Sequence, residues 1–343
     1  MRNIELTNRE RQVLQALIDH YIKTAKPVGS RTLETHYKLG ISAATIRNTM
    51  ADLEEKGLIT NLHQSSGRIP TDNGYRVYVD NLLKPQSLSK TERRKIESAL
   101  KSEDLALGPV LEKTSRILAY ISHQLGVTIA PRFESGILTR ITMVPVAERK
   151  VLIVYTVKSG LIRSIVIEAE VDLAPEMLEK TSSVLTERLA GSALGDIKST
   201  IRERLNGVSG GDLVLLDLFI DSCDEIFTEP IIDKVHLDGA ANLVRNPEFN
   251  NADRVSRLIG MVEDRTFLAN IFSCGEVNEG TNITIGSELL TDSAEPISVV
   301  ASPYNAGKLR GILGVMGPTR MPYSKIVSIV DYTAKLLSKV LSK

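Results

Sequence analysis

This chain has no excess of charge of either sign. Across its 343 residues 42 Lys and Arg face 42 Asp and Glu, so no global basic field is available to coat nucleic acid, and any nucleic-acid surface must be local. Long apolar runs are missing as well. The best candidates, residues 151–157 and 213–220, fall far short of the roughly 20 residues that span a bilayer, and the start M-R-N-I-E-L-T-N-R-E-R has no apolar signal core. A soluble, cytoplasmic protein with no membrane partner is expected. Cysteine is scarce: Cys223 and Cys274 are too few for a disulfide framework and too far apart to read as a zinc pair, so both read as small buried hydrophobes. The five His are scattered, none four residues from another His or near a Cys, and metal binding is unsupported. No nucleophile, base and orienting group can be assembled, so the chain reads as non-enzymatic and without a cofactor. Gly311, Gly314 and Gly317 are spaced G-x-x-G-x-x-G inside a strand-like run, which favours close backbone packing over a phosphate cradle.

What the chain does carry is concentrated in residues 42–56, S-A-A-T-I-R-N-T-M-A-D-L-E-E-K. On a helical wheel Ile46, Met50 and Leu53 form one apolar face, while Ala44, Asn48, Ala51 and Asp52 point away with Thr45 and Arg47 on the flanks. Ser42 suits an N-cap and Gly57 a helix stop. Asp52, Glu54 and Glu55 crowd the C-terminal half and repel phosphate, so the N-terminal half is the one offered to DNA. Asn48 matches an adenine edge and Arg47 a guanine edge or a phosphate, while Ala44 or the Thr45 methyl can meet a thymine methyl. Taken alone, the same pattern also fits a solvated helix face.

The residues ahead of this helix favour the DNA reading. Thr7-x-x-Glu10 is a capping box opening a helix with Val13, Leu14, Leu17, Ile18, Tyr21 and Ile22 at helical spacing, and Pro27 ends it. Ser30 is expected to cap a second short helix through Arg31 and Leu33, and K-L-G-I at 38–41 is the tight turn into the third. This is the order of a helix-turn-helix. Residues 58–62 and 68–70 read as two strands of a wing around a loop tip, with His63 and Arg68 flanking small residues that include Ser66. Arg68 is the stronger candidate for DNA backbone or minor groove, and a plain surface hairpin is the competing reading. The candidate DNA-binding residues are therefore Ser30, Arg31, Ser42, Ala44, Thr45, Arg47, Asn48, His63, Ser66 and Arg68. Thr71 caps a further helix whose Tyr75, Val79 and Leu82 read as packing that couples this head to the rest of the chain.

The segments P-V-G-S-R-T-L (27–33), A-T-I-R-N-T-M-A-D-L-E-E-K-G-L-I (44–59) and S-S-G-R-I-P-T-D-N-G-Y-R-V-Y-V-D (65–80) resemble the bacterial heat-inducible transcription repressor family HrcA. The resemblance continues in G-A-A-N-L-V-R-N-P-E-F (239–249), S-P-Y (302–304) and G-I-L-G-V-M-G-P-T-R-M (311–321), and so covers nearly the whole chain. Ala43 departs from the family, which often has Pro there, but Ala is well tolerated at a first helical position.

Downstream, residues 84–90 read as a linker or hinge, and 91–105 and 110–125 as helices, the second stopped by Gly126. Residues 137–145, 150–157 and 161–168 form an antiparallel meander, and from Pro175 helices continue to about 227 with breaks at 191–195 and 207–211. Asp217, Asp221, Asp224 and Glu225 read as the wet side of one of them. A strand at 233–243, a helix at 252–272, strands at 282–286, 297–304 and 308–316, and a closing helix at 323–341 complete an α+β chain.

The resemblance implies an N-terminal winged helix-turn-helix followed by a GAF-like α+β domain with an inserted dimerisation domain. In approximate numbers these are a head at 1–83, a linker and connecting helix at 84–105, a GAF-like domain at 106–144 and 229–343, and an insert at 145–228. It further implies a homodimer that represses heat-shock chaperone operons through the inverted-repeat operator CIRCE in double-stranded DNA, with the GroEL chaperonin favouring the active form. Two rival readings remain: a winged-helix regulator whose GAF-like domain senses a small metabolite, and a GAF-containing enzyme with an incidental helix-turn-helix.

Overall fold

The computed structural model describes residues 5–61, 67–101, 107–131, 136–158, 160, 162–169, 174–207, 211–227, 235–249, 251–273, 280–289, 296–307 and 309–342. Helix α1 (Asn8–Thr24) opens on the expected capping box, with the Thr7 N–H donating to Glu10 Oε2 at 2.8 Å, and ends where Ala25 turns left-handed. Helix α2 (Ser30–His36) starts differently from expectation: Gly29 is the N-cap, no side chain caps it, and Ser30 is its first helical residue. Helix α3 (Ala43–Glu55) begins at Ser42, whose Oγ accepts from the Thr45 N–H at 3.3 Å, and is released by Gly57 at a φ of 70°. Val13, Leu14, Leu17, Leu33, Ile46, Met50 and Leu53 are buried between the three helices.

Strands β1 (Ile59–Asn61) and β2 (Arg68–Pro70) pair antiparallel, with Thr60 opposite Ile69. Arg68 also exchanges both backbone hydrogen bonds with Val28, at 2.8 and 2.9 Å, so the lead-in to α2 forms a third edge of the wing. Gly67 is required there by space, since a Cβ would lie 2.7 Å from the Pro27 and Val28 backbone.

Helix α4 (Asp72–Val77), capped by Thr71, runs on as a π turn through Leu82. Its Tyr75 and Tyr78 are buried in the same apolar cluster as Ile283, Ile285 and Tyr323 of the body. The stretch expected to be a hinge is tied down. Leu88 is buried, the Gln86 N–H donates to the Ser324 carbonyl at 2.9 Å, and the Ser324 hydroxyl donates to the Lys84 carbonyl. At the start of helix α5 (Lys90–Leu100), Lys325 reaches Glu92 at 2.8 Å. With the Ser89 N–H and hydroxyl, that ammonium pulls the Glu92 carboxyl down to about 2.

Helix α6 (Leu107–Ser122) leads into strand β3 (Leu125–Ile129), which the sequence reading did not anticipate, having run the helix on to Leu125. The helix stops because His123 turns left-handed; Gly126 is not its stop but lies in the strand, where a Cβ would sit 2.2 Å from the Ser115 carbonyl oxygen of α6. Next come strands β4 (Leu138–Ala147), β5 (Lys150–Val157) and β6 (Ile162–Glu168), then helices α7 (Pro175–Leu189), α8 (Leu194–Arg204), α9 (Leu213–Asp221) and α10 (Cys223–Phe227). The three strands form a meander whose buried side packs on the four helices, in a core running from Leu138 to Phe227 with Leu309 added. The approximate boundary at 145 cuts through β4. Ile141 pairs with Tyr155 and Met143 with Ile153, so residues 138–144 belong to the meander. Helix α7 covers the free edge of β4: the Thr186 hydroxyl accepts from the Ile141 N–H and donates to the Ile141 carbonyl, and the Ser182 hydroxyl accepts from the Met143 N–H.

Strand β7 (Val235–Asp238) ends sooner than expected, since Gly239 at φ 82° turns the chain into helix α11 (Ala240–Val244). The expected helix over 252–272 is two, α12 (Ala252–Glu263) and α13 (Arg265–Ser273), broken where Asp264 turns extended. Strands β8 (Asn282–Ile285), β9 (Ile297–Ala306) and β10 (Leu309–Pro318) and the closing helix α14 (Tyr323–Leu341) finish the chain. The body sheet is antiparallel in the order β7-β3-β10-β9-β8. Leu313 and Val315 pack with α6 and α14 on one face, and Val127, Val299 and Met316 with Leu258 and Phe272 on the other.

Gly311, Gly314 and Gly317 all lie in β10 with neighbours where a Cβ would go: the Tyr304 ring at 2.3 Å, the Val300 carbonyl oxygen at 2.2 Å and Gln124 Oε1 at 2.1 Å. Close packing is their physical reason. Gly314→Ala, which meets backbone rather than a flexible side chain, is expected to cost about 1–3 kcal/mol by overpacking. Denaturant unfolding of the full chain checks this; an unchanged midpoint would refute the packing account.

Candidate nucleic-acid interface

Helix α3 presents the residues the sequence singled out. Ile46, Met50 and Leu53 point into the head core, joined by Thr49, whose hydroxyl donates to the Thr45 carbonyl at 3.0 Å. Ala44, Arg47, Asn48, Ala51 and Asp52 are exposed on the opposite side. Arg47 and Asn48 have no side-chain hydrogen bond or ion pair among the described residues, so their donors and acceptors are all displayed to solvent. Ser42 and Thr45 are committed to one another: their hydroxyls lie 3.0 Å apart in the N-cap, which makes them first of all the start of the helix.

Ser30 is half-buried at the beginning of α2 and Arg31 is exposed beside it. From the same helix Glu34 reaches across and accepts from the Ala43 N–H at 2.8 Å. This satisfies one of the unpaired donors at the start of α3, and its negative charge suits the positive end of the helix. Glu34 thereby fixes the angle between α2 and α3, a positioning role that the sequence reading missed.

The far end of α3 is also pinned. Lys56 bonds Glu10 of α1 at 2.6 Å and the Glu5 carbonyl at 3.2 Å. Burial alone would raise the Glu10 carboxyl, but Lys56 and the Thr7 N–H and hydroxyl together hold it below its ordinary value.

Arg68 does something the sequence did not indicate. Its Nε and Nη2 both reach Glu54 Oε2 at 2.8 Å, so the wing arginine neutralises an acid of α3 that was expected to repel phosphate. Asp52 and Glu55 stay exposed. Arg68, Val28 and Glu54 thus join the wing, the lead-in to α2 and the C-terminal half of α3. His63 and Ser66 lie outside the described residues. Residues 1–83 hold 11 Lys and Arg against 9 Asp and Glu, so the head has little net charge and its positive potential is confined to side chains such as Arg31, Lys38 and Arg47.

Comparison with known proteins agrees with this geometry. Residues 5–82 match the family model described as winged helix-turn-helix transcription repressor, HrcA DNA-binding, and residues 109–327 match the HrcA protein C terminal domain. The chain is 38% identical over 356 residues to the heat-inducible transcription repressor HrcA of Chlorobium phaeovibrioides, covering 100% of this chain and 99% of that one. It is 36% identical to the proteins of the same name from Pelotomaculum thermopropionicum (99% and 98% covered) and Geobacter sulfurreducens (98% and 98%). Among solved structures, a hypothetical protein determined at 2.2 Å shares the fold, with a TM-score of 0.61, 24% identity, and 98% of this chain and 99% of that chain covered.

Replacing Arg47 or Asn48 by Ala is expected to cost about 1–3 kcal/mol of specific DNA binding and to relax base preference. Titration onto matched and mismatched duplexes checks it, and unchanged binding in both variants would remove this half of α3 from the groove. Arg68→Ala is expected to weaken binding to every sequence because it unmasks Glu54, and Arg68→Ala with Glu54→Ala should recover most of the loss. A double variant that stays weak, with a flatter salt dependence, would instead make Arg68 a direct phosphate contact.

Proposed function

Since this chain belongs to the HrcA family of heat-inducible transcription repressors and carries that family's DNA-binding winged-helix domain, we propose that it represses chaperone operons as a homodimer on the inverted-repeat operator CIRCE, with GroEL favouring the binding-competent form. The observation that carries the reading is the display of Arg47 and Asn48, partnerless among the described residues, on a helix held at both ends by Glu34 and Lys56. A rigid helix with free polar ends on its outer face is what direct readout of base edges requires.

Support for a second copy comes from the insert. The outer side of the β4-β5-β6 sheet carries Val144, Ile162 and Val166, which are 40%, 65% and 47% exposed, around half-buried Leu152 and Val154. Such a patch suits burial against its own symmetry mate, which would bring two α3 helices to one operator. A marginally stable body would lose this competence on heating, and a chaperonin free of other clients would restore it.

The test is titration of purified protein onto a labelled CIRCE duplex and a scrambled duplex of equal composition, at one salt concentration, with and without GroEL. Tight binding to the repeat alone, strengthened by GroEL, is the expected result. Equal weak binding to both duplexes, unaffected by GroEL, would overturn the proposal and bring the metabolite-sensing alternative forward.

A further inference from the structure

The head meets the body at two separate ion-pair clusters. In the first, Arg76 of α4 grips Glu288, with Nε at 2.8 Å from Oε1 and Nη2 at 2.5 Å from Oε2, and Nη2 also donates to the Ile283 carbonyl at 2.6 Å. Asp72, one turn earlier, accepts from the Ser287 N–H at 2.9 Å. In the second, Arg320 of the body forks onto Glu248 and donates from Nη1 to the Ile22 carbonyl at 2.6 Å, in the last turns of α1. All four side chains are only 15–21% exposed.

Tyr75 and Tyr323 lie between the clusters with ring centroids 5.9 Å apart. Apolar burial is non-directional, so the tyrosine contact by itself would let the head turn on the body. A guanidinium fork is directional: Arg76 on α4 clamps Glu288 across the boundary between head and body, and Arg320, forked onto Glu248 within the body, aims its Nη1 donor at the end of α1, so both head helices that meet the body are held in a single orientation.

Resting on the dimeric reading above, we propose that Arg320 with Glu248 and Arg76 with Glu288 are positioning residues that set the operator half-site spacing. The two-fold relation between bodies is fixed at the insert, and the angle between head and body then determines how far apart, and at what rotation about the duplex, the two α3 helices arrive. Each added base pair moves a half-site along and around the helix, so a fixed head angle admits one spacing and a loosened one admits several. None of the four residues belongs to the surface that reads bases. Their effect is on which operators fit.

The experiment uses full-length protein and CIRCE duplexes whose spacer is lengthened or shortened one base pair at a time over a helical turn, with a single half-site duplex as reference. The wild type is expected to favour one spacing. Glu248→Gln and Glu288→Gln, close in shape to the native side chains, should flatten the difference between best and worst spacings by about tenfold, or about 1.4 kcal/mol. Single half-site affinity should change little. Arg320→Lys, which keeps the charge at Ile22 but loses the fork, should flatten it partly, and decides the matter if a Gln variant fails to fold. Variants that keep the wild-type spacing profile would overturn the proposal and leave the dimeric reading intact. A wild type indifferent to spacing would defeat the dimeric reading and this role with it.

Discussion

The burial of Tyr75, Tyr78 and Tyr323 in one cluster that also holds Leu14, Ile46, Leu118 and Leu337 makes head and body parts of a single apolar core. The core of the head is modest for its length, and continuing it into the body adds cooperative stability. The sharing has a cost in independence. Loosening the seam between α4, β8 and the start of α14 exposes apolar surface on both sides, so the head is not insulated from events in the body. The insert, by contrast, has a core almost entirely its own, touching the rest through few residues such as Leu309.

Much of the head could be read from the sequence because its signals are local. The Thr7 capping box, the Ser42 cap, the Ile46, Met50 and Leu53 stripe and the Gly57 stop each depend on residues within a turn or two of each other, and each takes its expected place. Relations across the fold were not readable in that way. Glu34 capping α3 and Arg68 masking Glu54 depend on angles between elements, which no spacing encodes. Strand β3 was missed because Leu125 continues the helical periodicity of α6, and only the left-handed turn at His123 separates them. The supposed hinge near Pro85 carries hinge-like composition, yet its backbone bonds to Ser324, a residue more than 200 positions away.

Small residues and hydroxyls are used throughout to bring backbones together. The three glycines of β10 and Gly126 let sheet, helix and side chains approach to distances that a Cβ would forbid. Ser182 and Thr186 apply the same economy to the insert, where they occupy edge groups of β4 that would otherwise be open to pairing with another chain. An edge closed in this way limits one route to aggregation.

The near balance of charge in the head bears on how an operator is found at all. Non-specific affinity for DNA comes almost entirely from cations that release condensed counterions, and a genome offers about 10⁶–10⁹ competing sites. Arg68 and Lys56 are spent on Glu54 and Glu10, while Arg9, Arg11, Lys23, Lys26, Arg31, Lys38 and Arg47 stay exposed. Each cation tied up internally is one fewer to release counterions on arbitrary sequence, so non-specific affinity is lower than the count of Lys and Arg implies. The internal ion pairs that shape the head therefore also temper its grip on arbitrary DNA.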